Sequence, residues 1–178
     1  MKNIAYIGIG SNVGEKLTNI ALSIELMDKN IDCKVEVISS IYESTPYGDV
    51  EQNNFMNAVI KIITSLEPID LFHFLKLIEM KVGRKVTEKW GPREIDLDIL
   101  LFNDLIYSDE EITIPHKDML NRDFVLVPLI EIEPNLKHPN VGKKLSEICI
   151  FEPESEHSSA PNIKNNIIRK IPHKVLIS

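Results

Sequence analysis

The strongest constraint on the fold is how the spacing of apolar residues changes over the first hundred positions. Residues 3–10, NIAYIGIG, are a continuous apolar run of strand length. Residues 14–30 set Leu17, Ile20, Ala21, Ile24 and Met27 three or four apart, the spacing of one helix face. Strand character returns at 33–44, CKVEVISSIYES, and again at 55–64, FMNAVIKIIT. Residues 68–83, PIDLFHFLKLIEMKVG, read as a helix with Pro68 in its first turn and Gly83 just past its end. A further strand, EIDLDILLF, covers 94–102. The order strand, helix, strand, strand, helix, strand predicts an α+β fold, a ferredoxin-like sandwich with an antiparallel sheet.

Downstream, a hairpin near Asn103–Asp104 together with 111–115 is expected to add strands at an edge. Residues 118–132 read as one helix or two short ones, and 143–150 as a last short helix. From 152 to 166 the chain turns polar and reads as a linker. Residues 167–178 regain apolar character, which suits a strand at a sheet edge or a segment left apart. The expected organisation is one domain over 1–150 and a tail of unassigned role over 151–178.

The 178 residues carry a formal net charge of -7, which argues against a general nucleic-acid or membrane surface but allows a local basic pocket. Cys33 and Cys149 form no C-x-x-C and no zinc pattern, so two reduced thiols are expected. No signal peptide precedes the first strand, and no apolar run reaches bilayer length. A cytoplasmic enzyme or binding module is the expectation.

Chemistry concentrates around 84–102. In a strand alternate residues share a face, so Asp96 and Asp98 point the same way, joined there by Leu100 and Phe102. Ile95, Leu97, Ile99 and Leu101 take the other face. Two carboxylates where burial begins need a compensating cation, and Mg²⁺ would serve. A water-facing strand edge is the alternative, and the strand alone leaves both open. Arg84, Lys85, Lys89 and Arg93 lie beside this pair, with the one Trp, Trp90, among them. Cations next to a di-acid suit a polyphosphate, although a solvated charged loop would look the same.

The run GIGSNVG at 8–14 does not have dinucleotide spacing, and a tight turn into the helix accounts for its glycines. Asn57 stands in an apolar strand, where its amide must be bonded by backbone or by a ligand. His116, Arg122 and Phe124 follow a Pro near a helix start. His116 suits either a structural role or, with Arg122 downstream, a phosphate or ribose contact, and either core or a stacking platform suits Phe124. Glu79 reads as a helix-surface acid pairing with Lys76.

In order and spacing, YIGIGSNVG, STPYG, FMNAV, GR…KWGPREIDLDILLF and IPHKDMLNRDFVLVPLIEI resemble the 6-hydroxymethyl-7,8-dihydropterin pyrophosphokinases over residues 4 to 150. The resemblance implies transfer of the β,γ-pyrophosphate of ATP to the pterin hydroxymethyl group in folate biosynthesis, with AMP released. It implies two Mg²⁺ ions on Asp96 and Asp98, with Arg84 and Arg93 also catalytic. Ser44, Thr45, Pro46, Tyr47 and Asn57 match the pterin pocket, and Phe55 and Phe124 the aromatics around the ring. Arg84, Lys89, Trp90 and Arg93 match a lid over the triphosphate. Ile99, Ile112, Thr113, His116 and Arg122 match the nucleotide side, and Glu79 a recurrent acid on the preceding helix. Phe55 stands where Tyr is frequent, Val86 where many members have a second lid Arg, Lys89 where some have Arg, and Glu111 where some have a cation. These differences bear on phosphate affinity and lid closure. A monomer is expected, acting on small molecules, with association with a neighbouring folate-pathway enzyme also open. Every matched residue precedes 151, so the tail is expected to be dispensable for catalysis.

Overall fold

The computed structural model describes residues 2–46, 52–85, 91–149 and 166–172. Its elements are β1 (Asn3–Ser11), α1 (Lys16–Asp28), β2 (Cys33–Ile38), β3 (Ile41–Ser44), β4 (Phe55–Thr64), α2 (Pro68–Val82), β5 (Asp96–Phe102), β6 (Tyr107–Ser108) and β7 (Thr113–Ile114). A 3-10 turn at Met119–Asn121, α3 (Asp123–Ile132), α4 (Leu145–Ile148) and β8 (Ile167–Ile171) follow. The main sheet runs β5-β1-β4-β3-β8, with β2 also paired to β4, and every pairing is antiparallel. This is the strand order of the expected ferredoxin-like α+β fold.

Each face of the sheet has its own core. On one, Ile20, Ile24 and Met27 of α1 and Leu71, Leu75 and Ile78 of α2 pack on Ile7, Ile9, Ile60, Ile62, Leu97 and Ile99. On the other, Val125, Leu126 and Leu129 of α3 and Leu145 of α4 cover Tyr6, Val59, Leu100 and Leu101. Glu131 fastens α3 down by accepting from the Ser40 hydroxyl at 2.7 Å, the Tyr42 hydroxyl at 3.0 Å and Lys170 Nζ at 3.0 Å. Both cysteines are free and buried, and burial pushes the Cys149 thiol up to about 11.

Three local readings are revised. The single strand expected over 33–44 is two, because Ser39 exchanges bonds with Val59: its N–H reaches the Val59 carbonyl, and its Oγ accepts the Val59 N–H, each at 2.9 Å. A side chain takes the place of a ladder carbonyl there, so the strand breaks. In β5 the simple alternation fails at a bulge. Tyr6 pairs with Leu101 and Ile7 with Ile99, leaving Leu100 as the extra residue. Beyond it the faces exchange, so Leu101 joins the α3 core and Phe102 the α1/α2 core. Tyr107–Ser108 and Thr113–Ile114 form their own two-stranded ribbon instead of extending the main sheet. Its turn is closed locally by Asp109 Oδ1, which accepts the N–H groups of Glu111 and Ile112 at 2.8 Å. Of the two alternatives for the C-terminal residues, 167–171 takes the edge strand, β8 on β3.

Candidate active site

The middle of the sheet is left open on the α3 face. Strand register sets Asp98 opposite Gly8 and Asp96 opposite Gly10, and Gly10 opposite Asn57, which in turn pairs with Tyr42. Gly8 and Gly10 lie within β1, so the turn expected of the glycines belongs only to Gly14, with φ +65°. Their job is space. A Cβ on Gly10 would lie 3.4 Å from Asn57 Oδ1 and 3.6 Å from Phe55 Cδ1, and one on Gly8 would lie 3.3 Å from Leu100 Cδ2. Without those side chains, a trough opens across β1 between the aspartates and Asn57.

Walls rise around this trough from Ser44, Thr45, Gln52, Phe55, Asn57, Gly91, Arg93, Asp96, Asp98, Arg122 and Phe124. Asn57 is buried, and its Nδ2 donates to Ser44 Oγ at 2.9 Å and the Tyr42 carbonyl at 3.4 Å. Neighbouring side chain and backbone thus orient the amide, and its Oδ1 faces the floor over Gly10. Phe55 and Phe124 are half-buried and approach from β4 and the start of α3. Arg122 lies with its guanidinium carbon 5.9 Å from the centre of the Phe124 ring. Pro46 is half-buried but does not line this cavity, and Tyr47, Lys89 and Trp90 lie outside the described residues.

Asp96 is gripped by two arginines: Arg84 Nη1 at 2.9 Å from Oδ1, and Arg93 Nη1 on Oδ2. Burial alone would raise its carboxyl, but these two cations hold it below the usual carboxylate range. Arg84 is aimed by the end of α2. Gly83, at φ +107°, caps the helix in the left-handed region, and the Arg84 N–H returns to the Glu79 carbonyl at 3.0 Å. The same guanidinium also reaches the Glu79 carboxylate. Glu79 is only 3% exposed, which corrects its reading as a surface acid. The expected Lys76 partner is there at 2.8 Å, but the Leu97 N–H also donates to Glu79 Oε1 at 2.7 Å. Desolvation pushes the Glu79 carboxyl up against the pull of Lys76 and Arg84. One buried carboxylate therefore ties α2 to β5 and steers Arg84 onto Asp96.

Asp98 is the opposite case: desolvation, then the neighbouring Asp96 charge, push its carboxyl up. His116 Nε2 is 3.9 Å away. Its Nδ1 accepts the Asp118 N–H at 3.2 Å, and burial lowers the imidazole, which favours the neutral ring with hydrogen on Nε2. Asp98 also borders a second cavity, lined by Phe72, Ile99, Asp109, Glu110, Glu111, Ile112, Thr113, Ile114, His116 and Lys117. Glu111 is paired there with His73 at 2.9 Å. Arg122 lines the first cavity.

The sequence reading missed Asn12, which is fully buried. It accepts the Arg93 N–H at 2.7 Å, donates its own N–H to the Arg93 carbonyl at 3.1 Å, and reaches Gln52 Oε1 at 2.9 Å. Ser11 and Asn19 both donate to the Glu94 carbonyl, at 2.6 and 3.0 Å. The signal was a polar Ser-Asn pair at the end of an apolar strand. Together these bonds pin the segment that presents Arg93.

A profile of the 7,8-dihydro-6-hydroxymethylpterin-pyrophosphokinase (HPPK) family matches residues 6–134, well over half of the chain. The chain belongs to the HPPK family. Among curated HPPK relatives, the 2-amino-4-hydroxy-6-hydroxymethyldihydropteridine pyrophosphokinase of Aquifex aeolicus is 45% identical over 150 residues, 84% of this chain and 91% of that one. The Bacillus subtilis protein of the same name is 43% identical over 132 residues, 74% of this chain and 79% of that one. The folic acid synthesis protein FOL1 of Dictyostelium discoideum is 39% identical, but this chain spans only 26% of its length. Among solved structures, a Plasmodium falciparum HPPK-DHPS mutant superposes with a TM-score of 0.67 at 16% identity, over 82% of this chain and 42% of that one. At that identity the match speaks for the fold alone.

No helix among the described residues is long and apolar enough to cross a membrane. Nor does any group of three or more His, Cys, Asp or Glu there stand ready to hold a metal. The donor set still fits Mg²⁺, which is commonly bound through one or two carboxylates, with substrate phosphates and water completing the shell.

Proposed function

We propose that this HPPK transfers the β,γ-pyrophosphate of ATP to the hydroxymethyl group of 6-hydroxymethyl-7,8-dihydropterin, giving AMP and the pterin diphosphate for tetrahydrofolate synthesis. The observation that carries the reading is that Asp98 borders both cavities. Two substrates held in those cavities meet at the aspartate pair.

The first cavity suits the pterin. Phe55 and Phe124 offer aromatic faces to a flat heterocycle, and Asn57, Ser44 and Thr45 offer donors and acceptors to its edge. The second suits the nucleoside, with apolar Ile99 and Ile112 beside Thr113 and the neutral His116. Asp96 and Asp98 would hold two Mg²⁺ ions, which when bound neutralise the phosphate oxygens and favour displacement at phosphorus. Arg84 and Arg93 stand on the same carboxylate and add positive charge where the triphosphate must lie.

In the reaction the pterin oxygen forms a bond to the β-phosphorus as the bond to the α-phosphate oxygen breaks. The hydroxyl proton passes to solvent or to a phosphate oxygen, and AMP departs. Positioning and charge neutralisation carry such a transfer, so a strong general base is not required. Chromatography of a single turnover with ATP, Mg²⁺ and the pterin tests this. AMP formed one to one with pterin consumed is expected, and ADP as first product would mean an ordinary kinase. A monomer is the expected working unit. Relatives such as the Lactococcus lactis bifunctional protein FolKE make contact with a neighbouring folate-pathway enzyme a further expectation.

A further inference from the structure

Residues 166–171 do more than lengthen the sheet. Asp123, the first residue of α3, is 2% exposed. Its carboxylate accepts the N–H of Phe124 at 2.7 Å, of Asn166 at 2.6 Å and of Ile167 at 2.8 Å, and the Asn166 side-chain amide at 3.4 Å. Asn166 also reaches the other way. Its carbonyl accepts the Thr45 N–H at 2.9 Å, and the Thr45 hydroxyl lies 3.4 Å from its Oδ1. Thr45 and Phe124 stand on two walls of the first cavity. One residue of the C-terminal segment therefore bonds the Thr45 backbone directly and is linked to the Phe124 backbone through the Asp123 carboxylate.

A carboxylate this deep is costly unless its donors are kept. If the donors from 166 and 167 are lost, Asp123 must move toward water, and Phe124, bonded to it, moves with it. We propose that Asn166 is a positioning residue for the pterin pocket, and that the C-terminal strand braces the wall of Thr45 against the wall of Phe124. This rests on reading the first cavity as the pterin site. The second cavity is lined by none of residues 166–172, so the nucleotide should not sense the brace.

The test compares KM for pterin and for ATP in the full chain, Asn166→Pro, Asn166→Ala, Asn166→Asp, Lys170→Ala and a chain ending at Cys149. Lys170 lies on the same strand, but its Nζ bonds Glu131, so it controls for loss of strand stability. Asn166→Ala keeps the backbone bonds and loses the two side-chain contacts at 3.4 Å, so it should raise the pterin KM by no more than about threefold. Asn166→Pro removes the N–H given to Asp123 and should raise it about five- to tenfold, the scale of one lost hydrogen bond. Both should leave the ATP KM within about twofold. Asn166→Asp should be worse than Asn166→Ala, since it faces a second carboxylate onto Asp123. The shortened chain should lose the most pterin affinity; if circular dichroism finds it unfolded, the point variants decide alone. Lys170→Ala should change neither constant. An unchanged pterin KM in Asn166→Pro, or equal rises for both substrates, would overturn the brace while leaving the pyrophosphokinase intact. A full-length chain that makes no AMP would overturn the function and the brace together.

Discussion

At the scale of single residues, the two aspartates differ more than their shared strand face suggests. Asp96 is held ionised by Arg84 and Arg93, whereas Asp98 is raised by desolvation and by Asp96. Asp98 also borders both cavities. Asp98→Asn should keep the fold and lower turnover by at least about a hundredfold, the scale of lost metal assistance. Circular dichroism with a steady-state assay checks both halves, and near-normal activity in the folded variant would remove Asp98 from the metal site. Asn57 behaves as a pre-oriented recognition group, because Ser44 and the Tyr42 carbonyl already hold its NH₂. Asn57→Ala should weaken pterin binding at least about tenfold while ATP binding changes little. Calorimetry with each ligand measures this, and equal losses would make the residue structural.

At the scale of elements, β1 acts by what it lacks and α2 by how it ends. Gly10→Ala puts a methyl at ordinary contact distance from Asn57 and Phe55, so the strand should tolerate it. The methyl takes up the floor of the trough, however, and the pterin KM should rise while Tm stays nearly constant. A parallel fall in Tm would show that the strand, not the cavity, needs the glycine. The end of α2 links stability to the site through Glu79, which serves the Leu97 N–H, Lys76 and Arg84 together. Glu79→Ala strips a buried carboxylate from its partners and should cost about 3 kcal/mol, readable from urea unfolding. Turnover should fall with it, since Arg84 loses the group that aims it.

At the scale of the whole molecule, carboxylates with shifted titration pull stability in both directions with pH. Glu131 is lowered although burial opposes it, through bonds from Ser40, Lys170 and Tyr42, and Asp96 is lowered by its arginines. In the window below the usual carboxylate range the unfolded chain binds more protons than these groups do in the native state. Their stabilisation is therefore present above that range and lost as pH falls through their folded values. Asp98 and Glu79 are raised, so the native state binds the extra proton and stability declines as pH rises toward their folded values. Without Mg²⁺ or nucleotide, Asp98→Asn should thus raise Tm at pH 7, with the gain shrinking toward pH 4. Calorimetric melts across that range decide it, and a gain that grows in acid would reverse the assigned direction.

Element order and the chemistry of the site were legible in the chain itself, because hydrophobic periodicity and residue type are local. Strands at 55–64 and 94–102, the helix with Gly83 just past its end and the paired aspartates all follow from spacing of a few residues. Tertiary structure decided whatever depends on distant partners. Glu79 looks like any surface acid until β5 brings the Leu97 N–H against it. Gly8 and Gly10 look like turn residues until register sets them opposite Asp98, Asp96 and Asn57. The bulge at Leu100 exchanges the faces of Leu101 and Phe102, which no alternation rule contains, because it records how β5 fits β1 and both cores at once. The contact between Asp123 and residues 166 and 167 joins positions more than forty apart, and only the closed sheet brings that buried carboxylate its donors.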